Sequence, residues 1–179
     1  MLFAVIATIA SLAVSASASC TKMGYMTHTF YGYPDNSPPG PAIAHDCGRG
    51  YSAGGTGTYS DPLTFASATS EFSWCEIIYD PYTKKYLRME DDCAQCETDW
   101  SNGIRHIDVW TGSTTVNGGQ DQINCENALT PADRSQTIVR NPANTYPVDT
   151  TSLYVKGANP SCRTSHIYPS YNINDYCTT

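Results

Sequence analysis

Two stretches decide the fold: Tyr86-Leu87-Arg88-Met89-Glu90-Asp91-Asp92-Cys93 and His106-Ile107-Asp108-Val109-Trp110. In the first, Leu87 and Met89 alternate with Arg88 and Glu90; in the second, Ile107 and Val109 alternate with His106, Asp108 and Trp110. Successive strand side chains point to opposite faces, so this two-residue period predicts half-buried strands. Ile107 and Val109 enter a core, and His106, Asp108 and Trp110 face out. The two stretches place carboxylates on neighbouring strand ends, with an aromatic ring beside one of them, an arrangement that suits a sugar. An alternative stays open: Asp108 ties down a loop through backbone hydrogen bonds and Trp110 caps the core.

Working outward, helical periodicity is scarce and short β-branched or aromatic runs recur between Gly, Pro, Asn and Asp, which predicts a mainly β chain. Six strands are expected: Thr27 to Tyr31, Cys75 to Tyr79, Lys85 to Glu90, Ile104 to Trp110, Thr137 to Arg140 and Ser152 to Val155. Lys84, Lys85 and Arg88 read as a solvated strand edge, where charge discourages aberrant pairing. Between the first two strands, the turn formers from Pro34 to Gly40 and from Gly54 to Thr58 predict a long loop pinned by Cys47. One short helix, Asp121 to Leu129, follows the Asn117-Gly118-Gly119 turn and stops at Thr130-Pro131. From Lys156 to Thr179 the chain is polar and Tyr-rich, an ordered coil held by Cys162 and Cys177.

Met1 to Ala18 carries no charged side chain, runs apolar from Leu2 to Val14 and ends in Ala16-Ser17-Ala18. That is the pattern of a secretory signal peptide, shorter than the roughly 20 residues of a membrane span. A single domain over residues 19–179 is expected, extracellular, monomeric and without a membrane anchor. All eight cysteines, Cys20, Cys47, Cys75, Cys93, Cys96, Cys125, Cys162 and Cys177, fall in it. An even count in an exported chain predicts four disulfides, although eight cysteines allow 105 pairings. Cys93-Ala94-Gln95-Cys96 lacks a second close Cys or His pair, so no metal site is expected, and no cofactor. The net charge of −7, with only ten Lys and Arg in total, argues against a nucleic-acid partner. No Asn-x-Ser/Thr acceptor is present, no Gly-x-Ser-x-Gly nucleophile motif, and no spaced calcium loop around Glu90 to Asp92.

Three motifs in order, Thr29-Phe30-Tyr31-Gly32, Glu90-Asp91-Asp92-Cys93 and His106-Ile107-Asp108, resemble those of the double-psi β-barrel superfamily of expansins, barwin-like proteins and family 45 endoglucanases. A resemblance covering most of the chain is to small secreted fungal proteins with segments like 33–40, 54–59 and 118–127, some described as apoplastic elicitors of plant cell death. These likenesses imply a six-stranded double-psi barrel with long loops that acts on cell-wall polysaccharide and is perceived by a plant surface receptor. By resemblance, Asp108 takes the place of the endoglucanase general acid and Asp92 that of the strand-end Asp of expansins. The endoglucanase base has no counterpart in Thr29-Phe30-Tyr31-Gly32, so hydrolysis requires Asp35, Asp46 or Asp92 to supply a second carboxylate. Without one, the barrel binds or loosens glycan with Asp108 and a platform of Tyr31, Tyr33, His106 and Trp110.

Overall fold

The structure is a computed structural model that describes residues 19–178. The expected leader, Met1 to Ala18, lies outside the described residues. Six strands, β1 (Thr21–Gly32), β2 (Leu63–Ser67), β3 (Ile77–Asp80), β4 (Lys85–Asp92), β5 (Arg105–Thr111) and β6 (Gln136–Arg140), close into a barrel in the order β1-β5-β2-β4-β3-β6. The β1/β5 and β2/β4 pairs are parallel, and the other four pairs are antiparallel. Met26, Phe30, Phe65, Ile78, Leu87, Met89, Ile107, Val109 and Ile138 fill the core.

Parallel neighbours cannot be joined by a tight hairpin, so the chain must cross over between them. The connection from β4 to β5 carries helix α1 (Ala94–Ser101), and that from β5 to β6 carries α2 (Gly119–Leu129). α1 starts at Cys93, whose sulfur accepts from the Cys96 N–H and is bonded to Cys96 in a disulfide. α2 docks over the end of β1 at Gly32: a Cβ there would lie 2.0 Å from Gln122 Nε2 and 2.9 Å from the Thr111 carbonyl oxygen. The glycine of Thr29-Phe30-Tyr31-Gly32 is therefore a packing requirement.

All eight cysteines are paired: Cys20–Cys177, Cys47–Cys75, Cys93–Cys96 and Cys125–Cys162. The first ties the start of β1 to the C-terminal coil, and the last ties α2 to it. Two short 3₁₀ turns, Thr164–His166 and Ile173–Asp175, lie in that coil.

The structure corrects the expected elements in four places. Ser152 to Val155 forms no strand, only an isolated bridge between Tyr154 and Cys162, because its backbone lies outside the barrel. The sixth strand is instead β2, which lies between Thr58 and Cys75, where no strand was expected. Its five residues are all buried, so no alternation marks it. α1 is a second helix, its signal masked by the Cys-x-x-Cys spacing. Lys85 is no solvated edge: it is 2% exposed, and its Nζ donates to the carbonyls of Asp149 and Thr151. A closed barrel has no edge to protect.

Candidate functional site

The site begins with a bulge. β2 and β4 run in register through Phe65 and Met89, then Ala66 pairs with Asp91, leaving Glu90 as the extra residue. An inserted residue reverses side-chain parity beyond it. Asp91, which would otherwise follow Leu87 and Met89 into the core, is turned to the opposite face. Ala66 also pairs with Asp108 of β5, and Asp108 pairs with Thr29 of β1. Asp91, Ala66, Asp108 and Thr29 thus stand in one row across four strands, the small alanine leaving the floor open between two carboxylates.

Asp91, Ala66 and Asp108 of this row floor a cleft of about 560 Å³ whose walls include Tyr31, Asp35, Asp92 and Ala44. Among the described residues, no Lys, Arg or His lines it. Asp108 is half-buried and accepts from Thr29 Oγ1 at 2.7 Å. Burial pushes its carboxyl up to about 7, aided by the charges of Asp35 and Asp91 and opposed by the Thr29 bond. Asp91 is raised as well, first by burial, while it accepts from Tyr31 Oη (2.9 Å), the Ala44 N–H (2.9 Å) and the Asp92 N–H (3.1 Å). Asp35 is exposed and accepts from the Gly32 N–H at 2.9 Å. Behind it Glu126 is raised to about 8, first by burial and then by the nearby Asp35 charge.

Each residue expected at the site has a definite place. Asp108, Asp92 and Tyr31 line the cleft, with Asp92 exposed at its rim and Tyr31 buried with its hydroxyl on Asp91. Tyr33 is half-buried against the core and does not line it. His106 and Trp110 are 5% and 1% exposed. The outward face of β5 is overlaid by other chain, so their orientation off the barrel interior does not bring them to solvent. Trp110 packs edge-on to Tyr31, ring centroids 5.3 Å apart, and is not available as a stacking surface in the cleft. Of the candidate second carboxylates, Asp35 and Asp92 line the cleft, whereas Asp46 caps a turn by accepting from the Gly48 and Gly50 N–H groups. Asp91, Thr29 and Glu126 stand in the motifs read from sequence without an assigned role. Finding Asp91 required the bulge, which strict alternation conceals.

Among the described residues, the one close trio with metal-ligand character is His45, Cys47 and Cys75, and its two sulfurs are joined to each other. The cleft offers carboxyls of raised proton affinity, suited to holding and transferring a proton.

Residues 23–163 match the family described as the DDB_G0273701 N-terminal domain. The chain belongs to that family. A Dictyostelium discoideum protein, "Uncharacterized protein DDB_G0273701/DDB_G0273221", is 41% identical over 152 residues, which is 84% of this chain. The matched region spans 64% of the length of that relative. No solved structure matches the chain.

Proposed function

We propose that the barrel is of the double-psi type and acts outside the cell on a polysaccharide laid across the Asp91–Asp108 row, with Asp108 as proton donor to a glycosidic oxygen. The observation that carries this reading is Asp108 itself: a half-buried carboxyl raised to about 7 on the floor of an open cleft. A general acid serves best when its pKa lies near the working pH. The two parallel pairs, β1/β5 and β2/β4, support the barrel type. Four disulfides and, among the described residues, no helix able to cross a membrane are compatible with export.

Two strand spacings separate the Asp91 and Asp108 backbones by roughly 10 Å. This favours the wider separation of an inverting carboxylate pair over the 5 to 5.5 Å typical of a retaining one. Asp91 accepts three hydrogen bonds, which hold it as a carboxylate acceptor able to act as base, and Asp35 flanks the row as a second acceptor. A cleft walled by carboxyls without a cation repels uronate-rich or phosphorylated chains and accepts neutral or amino-bearing sugars.

The test is a panel of neutral β-glucan, chitosan, peptidoglycan and polygalacturonate, scored for binding and for released fragments with wild type and Asp108→Asn. Release from a neutral or amino-bearing polymer that is lost in Asp108→Asn supports the acid role. Binding without release in both proteins supports the second reading, a glycan-binding barrel, which the full hydrogen bonding of Asp91 favours. The absence of both binding and release across the whole panel refutes the proposal. Infiltration of both proteins into leaf tissue addresses perception by a plant separately.

A further inference from the structure

Asp108 does not end at the cleft. Its Oδ1 is 2.7 Å from Thr29 Oγ1, Thr29 Oγ1 is 2.9 Å from His106 Nε2, and His106 Nδ1 is 2.7 Å from Asp99 Oδ2. The line therefore runs from the cleft floor across β1 and β5 to α1, the helix that Cys93–Cys96 fastens to the end of β4. Asp99 does not line the cleft; its side chain is 19% exposed, against 6% for His106.

A hydroxyl has one hydrogen, so the direction of the Thr29 O–H fixes both of its neighbours together. If Thr29 donates to Asp108 Oδ1 and Oδ2 carries no proton, the carboxyl is ionised and His106 Nε2 must donate to Thr29. Asp99, facing Nδ1, holds a proton there too, and the ring is an imidazolium. If Asp108 is protonated, its O–H donates to Thr29, Thr29 donates to Nε2, and the ring is neutral with its proton on Nδ1. Both arrangements satisfy every polar atom on the line with the same heavy-atom positions.

We infer that Thr29 is a proton bridge joining His106 and Asp108 into one titrating unit, with Asp99 fixing which ring nitrogen faces the bridge. The step balances internally. The Nε2–H bond breaks as that proton bonds to Thr29 Oγ1, and the original Oγ1–H bond breaks as its proton bonds to Asp108 Oδ1. The imidazolium and carboxylate charges vanish together. A sugar seated in the cleft strips the remaining water from Asp108 and raises the cost of its charge. The proton then moves from His106 to Asp108, so occupancy arms the acid. Thr29, His106 and Asp99 are positioning residues; Asp108 alone faces the cleft.

The purpose of the bridge rests on the proposed acid role, but its test does not. Other groups facing Asp108 are Tyr31, Asp35, Asp91 and, from β1, the His28 that pairs with Asp80. Facing His106 is Glu71, whose Oε2 accepts the His106 N–H at 3.2 Å, with Arg105 and Arg140 close to Glu71. The His106 ring nitrogens and the Asp108 and Glu71 carboxyl carbons are followed by nuclear magnetic resonance through a pH titration of the full chain. A shared unit gives His106 and Asp108 the same two midpoints, with Glu71 following its own curve. Thr29→Ser retains the shared midpoints; Thr29→Val splits them into separate single steps. Independent single steps in the wild type overturn the bridge, whether or not the variants fold. Shared midpoints that survive in Thr29→Val overturn it as well. A barrel with shared midpoints that neither binds nor cleaves any glycan keeps the bridge and loses the function.

Discussion

Replacing Asp108 by Asn should stabilise the barrel, and only over a defined pH range. The carboxyl is lifted from its ordinary 3.8 to about 7, chiefly by burial. A group raised in the folded state contributes full stability below its unfolded pKa. That stability drains away as the unfolded chain ionises and the folded one does not, and it is gone once pH exceeds the folded pKa. At about 1.36 kcal/mol per pH unit, ionised Asp108 costs up to about 4 kcal/mol. Partial exposure screens roughly half of that, leaving on the order of 2 kcal/mol. Asn does not titrate and still accepts from Thr29. The two proteins should therefore unfold alike near pH 3.5, diverge steadily between about 4 and 7, and hold a constant gap of about 2 kcal/mol above it. Glu71 and Glu126, also raised by burial, are common to both chains and largely cancel in the difference. Urea unfolding of both proteins at closely spaced pH values reads the gap directly. A gap that is absent at pH 8, or that opens on acidification, would refute the assignment of Asp108 as a buried, proton-holding group.

Gly32→Ala should cost about 1–3 kcal/mol, because the new methyl meets the Thr111 carbonyl as well as a movable glutamine; thermal unfolding reads it, and an unchanged midpoint counts against the α2 docking. Removing Cys125–Cys162, which spans 37 residues, should cost about 4 kcal/mol, whereas removing Cys93–Cys96, which spans 3, should cost about 1.5 kcal/mol on loop entropy. Denaturant midpoints of the two double-alanine variants test that order. The Asp149 carboxyl is held low: hydrogen bonds from His166, Thr151 and Tyr168 outweigh its burial. Asp149→Asn should therefore destabilise at neutral pH, with the penalty fading as pH falls through the acidic range; a pH-independent penalty in paired melts would contradict this.

Strands that turn an apolar face to the barrel interior were legible in the sequence, since Leu87, Met89, Ile107 and Val109 declare that face by alternation. β2 was not, because a strand buried on both sides has no burial period and five residues are too few to stand out. Trp110 was legible as sharing a face with Asp108 but not as covered, because what overlies the outside of a strand comes from distant chain. Asp108 could be singled out by position alone. Its proton affinity could not, since the approach of Asp35 arises only when the loop after β1 folds back over the sheet, and that of Asp91 only from the bulge in β4.

The element that converts a barrel into a site is the single extra residue that β4 inserts opposite β2. Glu90 is wholly buried, with Thr64 Oγ1 at 2.6 Å from Oε2, Arg88 Nη2 at 2.6 Å from Oε1 and Arg49 Nη1 at 3.7 Å from Oε2. Burying such an ion cluster rarely adds net stability, because desolvation consumes most of the attraction. Its value here is positional. Moving the extra residue to another point on β4 would bury Asp91 in the core or strand Glu90 without its cations, so the cluster penalises every register except the observed one. The register that survives turns Asp91 outward opposite Ala66 and beside Asp108. The same contacts that make this stretch costly to bury thereby fix the spacing of the two carboxylates, and the barrel tolerates a raised Asp108 because the row that holds it cannot slip.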